Sequence, residues 1–513
     1  MEQITYLTKT FLLTLMNGRG AFFSLMVLLF FLAMPKKIKS TTTTLLGYRH
    51  DYVAIALLAI TFITGLVYLS YPNYLDHVES TIASLGMVLD RGEAIYPFPD
   101  LYPYHGLLYG PLLATVQTAF TQTGLSVLVA SKLPGLIAFL ISITACLYVI
   151  KNSMARGYLI YLIPFGLMLF WNRAESFFLL LVCMTLFFAD KKIGNKNLPI
   201  IVGILAGAAS ALKLHGASYI FSAYLAATLG ATLSIPSLLV FSISTLISFL
   251  AFFLPSNISL VNFFEYLKLA SAHGLSLRLW LENLVYLLFL AIPLLISWSG
   301  SNKSRDMSIK ISAVILIEFF VTIIGAKPGA GIHHLLPFIP INAYIIHRLH
   351  LDAKAPRSSI LKAMYFALII PALLTILTIN VSMIKTWMDF RKAGDEVQLL
   401  DKKYPDLVMG LTDDKNYSYA YLRVLLSGEQ IDYPSFMDLQ FAGVSDLTMS
   451  ENMRACKIKN ILLLNDGAPF SMNNYYTGKP LLSPRVQQSF SDLYEISFRG
   501  NYFSVHTCNN VSK

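Results

Sequence analysis

Asp76 and Glu79 stand three residues apart at the head of the segment Leu75–Asp90, in which Leu75, Val78, Ile82, Leu85 and Leu89 recur at helical spacing. Residues three and four apart share a helix face, so Asp76, Glu79, Ala83, Gly86 and Asp90 form a second stripe beside the apolar one. Carboxylates flanked by small residues that leave room for a substrate supply a base for a hydroxyl proton. The plainer reading of the same helix is an interfacial element with solvated acids and Asp76 as its N-cap. A second set of residues offers positive charge: Arg173 beside Glu175, Lys213, Lys327, and the pair His333 and His334. Cations held in a partly dry site stabilise a leaving anion. In the plainer reading Arg173 and Glu175 are an interfacial ion pair, and Lys213 snorkels from the end of a span. Adjacent His333 and His334 point to different helix faces, which argues against a two-histidine metal site. His105 and Tyr109 complete the candidate set.

The elements that must position these residues belong to a membrane protein. Of 513 residues, 55% are apolar and only 13% charged, against about 25% charged in an average soluble domain. A soluble enzyme and a disordered chain are both excluded. Residues 1–384 carry 25 basic and 14 acidic side chains, and residues 385–513 carry 14 and 15. The chain therefore reads as a polytopic transmembrane body, 1–384, followed by a small soluble α/β domain, 385–513. The excess of positive charge lies in the body, as expected of cytoplasmic loops, and gives no reason to invoke nucleic acid.

Each crossing needs about 20 apolar residues. Apolar runs are centred in 11–34, 52–71, 107–150, 157–171, 175–190, 198–213, 216–233, 236–256, 283–299, 308–326, 333–350 and 361–384, which predicts a helical bundle of about 11–13 spans. The start MEQITYLTKT has no basic cluster, and no small-residue cleavage site precedes Pro35, so 11–34 reads as a retained span. Five basic clusters share the cytoplasmic side by the positive-inside rule: Lys36, Lys37, Lys39 and Arg49; Lys151 and Arg156; Lys191, Lys192 and Lys196; Lys303, Arg305 and Lys310; Arg348, Lys354, Arg357 and Lys362. The parity holds only if 107–150 makes one net crossing. The external face then receives loop 72–106, the turn Trp171–Glu175, the neighbourhood of Lys213 and His215, loop 257–282, the stretch 326–334 and the whole tail. Charged residues in a membrane protein are expensive and mark function by default. Glu318, inside an apolar run, is expected to pair with a cation such as Lys132.

In the tail, Leu407–Met409, Ile461–Leu464, Tyr494–Phe498 and Tyr502–Val505 read as strands. The four cysteines show no metal-ligand spacing. Cys456 and Cys508 are the only two in the tail, a disulfide pair if that tail faces an oxidising compartment.

The order of motifs resembles the GT-C superfamily of polytopic glycosyltransferases, such as protein O-mannosyltransferases and aminoarabinose transferases. An acid and an amphipathic helix in the first external loop lead through Gly92-Glu93-Ala94-Ile95-Tyr96 to Tyr109-Gly110-Pro111-Leu112. Arg173-Ala174-Glu175-Ser176 opens a later span, Ala211-Leu212-Lys213-Leu214-His215-Gly216 follows, and Lys327-Pro328-Gly329 precedes His333-His334-Leu335-Leu336-Pro337. Many relatives carry adjacent acids at the helix start, whereas Asp76 and Glu79 are three apart, so either takes the catalytic place.

The resemblance implies a membrane all-α GT-C-like fold and transfer of a sugar from a polyprenyl-phosphate donor to an envelope glycolipid, polysaccharide or protein. The implied roles are Asp76 or Glu79 as base, and Arg173, Glu175, Lys213, Lys327, His333, His334, His105 and Tyr109 as substrate-binding residues. No cofactor is certain from the sequence, and a divalent metal stays open. The expected partners are the lipid-linked donor, membrane lipid and the acceptor. The expected place is a bacterial inner membrane, with the site and the tail facing the periplasm. The competing readings are a transporter or flippase and a non-enzymatic envelope assembly protein. Candidate charges on one external face and the lack of a two-fold repeat count against transport.

Overall fold

The computed structural model describes residues 50–105, 109–162, 169–191, 196–231, 233–299, 304–351 and 358–509. The expected span 11–34, the basic residues Lys36, Lys37, Lys39, Arg49, Lys192, Lys303, Lys354 and Arg357, and Gly106–Leu108 lie outside the described residues.

In chain order the first helices are α1 (His50–Ser70), α2 (His77–Asp90), α3 (Pro111–Thr121), α4 (Val127–Val149), α5 (Ser153–Leu162), α6 (Ala174–Asp190) and α7 (Leu198–Ser210). Next come α8 (Gly216–Ala227), α9 (Ile235–Ala251), α10 (Leu260–Ser271), α11 (Leu277–Ser299), α12 (Arg305–Ile324), a 3-10 turn (Ile332–Leu335), α13 (Phe338–Leu351) and α14 (Ser358–Lys403). The tail continues with β1 (Leu407–Met409), a 3-10 segment (Asp414–Leu425), α15 (Tyr433–Phe441), α16 (Leu447–Arg454), β2 (Asn460–Leu464), α17 (Pro484–Leu493), β3 (Tyr494–Arg499) and β4 (Phe503–Cys508). All four tail runs read as strands are strands.

Among the described residues, α4, α11, α12 and the Tyr52–Ser70 part of α1 are long and apolar enough to cross a membrane. Such runs become helices because lipid offers no partner to backbone N–H and C=O groups. In the stretch 107–150, α3 has 11 residues, roughly 16 Å of helix, well short of the ~30 Å hydrocarbon core. Among the described residues of that stretch, α4 has the length to span it.

The chain divides into two compact units, each discontinuous in sequence. One holds the described residues up to Tyr68, together with Gly135–Ala251 and Gly274–Ser382. Its helices pack through small residues. Gly203 and Gly207 of α7 lie against α9 so closely that a Cβ on Gly203 would fall 2.6 Å from Phe241 O, and one on Gly207 2.5 Å from Thr245 O. This small-xxx-small spacing lets two helix backbones approach where lipid supplies no hydrophobic drive.

The other unit holds Leu69–Pro134, Phe252–His273 and the chain from Met383 onward. Its sheet has the order β1-β2-β4-β3, with β1 and β2 parallel and the other pairs antiparallel. The disulfide Cys456–Cys508 ties the end of β4 to the turn after α16, as the sequence led us to expect. Glu396 of α14 accepts backbone N–H groups from Asn501, Tyr502 and Phe503 and so fixes the β3–β4 turn. A core of Tyr74, Ala83, Tyr421 and Val424 seats α2 against the 3-10 segment of the tail.

Candidate functional site

Helix α2 begins with a capping box. Asp76 is the N-cap and accepts the Val78 N–H at 3.2 Å, while Glu79 reaches back to accept the N–H groups of Leu75 at 2.9 Å and Asp76 at 3.0 Å. Both arms satisfy backbone donors that a helix start leaves open. The two carboxylates differ in environment. Glu79 is fully buried, whereas the Asp76 side chain is 16% exposed with His77 Nδ1 2.8 Å from its Oδ1.

The small residues of the acidic stripe do not leave room for a substrate, which corrects the expectation from spacing. Ala83 is in the core beside Tyr74, and a Cβ on Gly86 would collide with Gln117 of α3. Thr118 Oγ1 also donates to Gly86 O at 2.9 Å. Smallness here permits close approach of α3 to α2.

In the membrane unit a second cluster gathers on Glu175. Arg173 is the N-cap of α6 and Glu175 lies in its first turn. Lys213 and His215 sit in the turn between α7 and α8, and His333 and His334 in the 3-10 turn before α13. Lys213 Nζ donates to Glu175 Oε1 at 2.7 Å, and Arg173 Nε to Glu175 Oε2 at 3.2 Å. His333 Nε2 is 3.8 Å from the same Oε1. His334 Nδ1 is 3.1 Å from His215 Nε2, and Tyr219 of α8 donates to the His334 carbonyl at 2.8 Å. Arg173, Glu175, Lys213, His333 and His334 are all buried. Residues spread from 173 to 333 thus meet at one carboxylate, and the two histidines do different work, His333 towards Glu175 and His334 towards His215.

Lys327 is half-buried in the non-helical stretch after α12, where Ala330 N–H donates to Lys327 O at 2.9 Å. Gly329 and Gly331 take φ of 82° and 154° there, a region open to glycine. The expected interruption of the helix at Pro328-Gly329 is therefore present. Lys132 Nζ donates to Tyr71 O at 2.5 Å, and Glu318 is buried within its own unit.

His105 is buried, and among the described residues neither ring nitrogen has a hydrogen-bond partner. Burial lowers its pKa to about 4, so the imidazole is neutral. Its ring, Glu93 and Glu429 bring ligand atoms within 4.8 Å of one another. One imidazole and two carboxylates suit a divalent transition ion, and the orphaned imidazole fits that use. Arg91 already forms a two-point bond to Glu93, at 2.6 and 3.2 Å. No spacing in the sequence could have found this group, because Glu429 comes from the tail. Tyr109 accepts the Tyr96 hydroxyl at 2.7 Å through its backbone carbonyl.

No family model and no curated protein matches the sequence. Two solved structures do share its fold. One is ArnT from Cupriavidus metallidurans bound to undecaprenyl phosphate, with a TM-score of 0.55 at 12% identity, covering 89% of this chain and 98% of that one. The other is the same protein in the apo state, with a TM-score of 0.54 at 12% identity, covering 90% and 97%. The chain thus shares its fold, over about nine-tenths of its length, with these two ArnT structures.

Proposed function

We propose that the protein is an integral-membrane glycosyltransferase that moves a sugar from a polyprenyl-phosphate carrier to an envelope glycolipid, polysaccharide or protein. The observation that carries this reading is the buried cluster in which one carboxylate, Glu175, meets two cations, Arg173 and Lys213. Cations gathered in a buried site suit the binding of a ligand anion and stabilise charge that develops on it. The fold neighbour that binds undecaprenyl phosphate supports a lipid phosphate as that anion.

In the reaction, Asp76 accepts the proton of the acceptor hydroxyl, and that oxygen forms a bond to the anomeric carbon. The anomeric carbon–oxygen bond to phosphate breaks, and its electron pair leaves on the polyprenyl phosphate. Arg173, Lys213 and Lys327 offset the charge that develops, with His333 as a further polar partner. Asp76 is preferred to Glu79 as base because Glu79 is buried and occupied by two backbone N–H groups. Glu93, His105 and Glu429 are proposed to hold a divalent cation that braces the external loop against the tail segment.

The proposed place is a bacterial inner membrane, with loop 72–106 and the tail on the periplasmic side. The deciding experiment compares envelope glycolipids and polysaccharides from cells with and without the protein. Loss of one sugar identifies donor and acceptor together; an unchanged envelope sugar profile removes the transferase reading.

A further inference from the structure

Arg423 lies at the end of the 3-10 segment Asp414–Leu425, 1% exposed. Its Nη1 donates to Ser80 Oγ at 3.0 Å, and its Nη2 donates to Thr81 Oγ1 at 3.2 Å and to Asp432 Oδ1 at 2.5 Å. Thr81 Oγ1 also donates to Asp432 Oδ1 at 2.8 Å, and the Asp432 N–H donates to Tyr104 O at 3.3 Å. Asp432 is in turn the N-cap residue of α15 and accepts the Ser435 hydroxyl on Oδ2. On α2, Ser80 donates to His77 O at 2.8 Å in the first turn above the Asp76 cap, while the single Thr81 hydroxyl proton is taken by Asp432. A continuous set of polar bonds therefore runs from the tail into the turn that carries the proposed base.

Such a network is a poor device for stability. A buried ion pair is commonly replaceable by apolar residues of similar volume without loss, and among the described residues Arg423 Nε is buried with no hydrogen-bond partner. Directional bonds do supply something apolar packing does not, because they fix a helix turn against rotation and sliding. A displacement of about 1 Å at a reacting group costs on the order of 10²-fold in rate.

We propose that Arg423 and Asp432 are positioning residues, which hold the first turn of α2 through Ser80 and Thr81 and thereby set the place of the Asp76 carboxylate. The tail is on this account part of the catalytic machinery. The inference rests on the reading of Asp76 as base given above.

The test uses full-length protein returned to cells that lack it, with the restored envelope product measured per amount of protein in the membrane. Binding of undecaprenyl phosphate to the purified protein is measured in parallel. Arg423→Met/Asp432→Leu is expected to accumulate and bind the lipid as wild type does, yet to restore product at a tenth of the rate or less. Thr81→Val is expected to lose threefold or more, and Thr81→Ser, which keeps the hydroxyl, to stay within twofold. A folded double variant with activity within twofold of wild type overturns the proposal. Should the double variant fail to accumulate, equal activity of Thr81→Val and Thr81→Ser overturns it instead. Asp76→Asn separates the two levels: an active Asp76→Asn defeats the assignment of the base, whereas an inactive one beside fully active network variants defeats this inference alone.

Discussion

Lys213 Nζ lies 2.7 Å from Glu175 Oε1, a bond between residues 38 apart that turns the expected Arg173–Glu175 pair into a cluster of three charges. Spacing alone places Arg173 and Glu175 together, since they are two residues apart. The third member arrives only because the α7–α8 turn is folded against the start of α6.

The cluster predicts distinct outcomes for its members. Glu175→Gln strands two buried cations and is expected to destabilise the protein by about 3–5 kcal/mol, read as a fall in thermal midpoint. Lys213→Ala and Arg173→Ala leave the carboxylate one partner each and are expected to weaken undecaprenyl phosphate binding by roughly tenfold. Lys327→Ala is expected to weaken it too, with partial rescue by Lys327→Arg, which keeps the charge and changes the geometry. Unchanged lipid binding in all three cation variants would remove the phosphate site.

The capping box divides the two acids. Asp76→Asn should leave the helix cap, because an amide oxygen still accepts a backbone N–H, and lower turnover by about 10²–10⁴ through loss of the base. Glu79→Ala should instead cost stability, about 1–3 kcal/mol, by leaving backbone donors buried and unmet. Turnover and thermal midpoint measured on both variants check the division, and the reverse pattern would exchange the roles.

Metal analysis tests the group of Glu93, His105 and Glu429. Protein purified from medium supplemented with zinc or manganese is expected to carry about one divalent ion per chain, and His105→Ala to carry none, as follows from loss of the one imidazole in a three-ligand set. Equal metal content in both would show that the ion, if any, resides elsewhere.

The disulfide and the direction of the chain are checked together. Cysteine labelling from outside the membrane is expected to reach sites introduced in the tail and not sites beside Lys151 or Arg348, by the positive-inside rule. Cys456→Ser/Cys508→Ser should lower stability by about 2–4 kcal/mol through the wider unfolded ensemble of the 52-residue separation. A tail labelled only from the cytoplasmic side would break the parity argument.

Composition and hydropathy by themselves determined a mostly helical chain with helices apolar enough to cross a membrane and a small sheet near its C-terminal end, because lipid demands unbroken apolar helices and water does not. The helix His77–Asp90, its cap at Asp76, the four tail strands and the Cys456–Cys508 pair were equally legible, since local periodicity and residue count encode them. Tertiary structure alone decided the uses of the polar residues. It showed that Gly86 admits α3 and leaves no substrate space, that Glu79 is held by backbone donors, and that Lys132 bonds to Tyr71 O. It also joined Lys213 to Glu175 and Arg423 to Ser80 and Thr81. A side chain's partner across tens or hundreds of residues depends on how turns bring helices together, and no period of 3.6 or 2 residues carries that information.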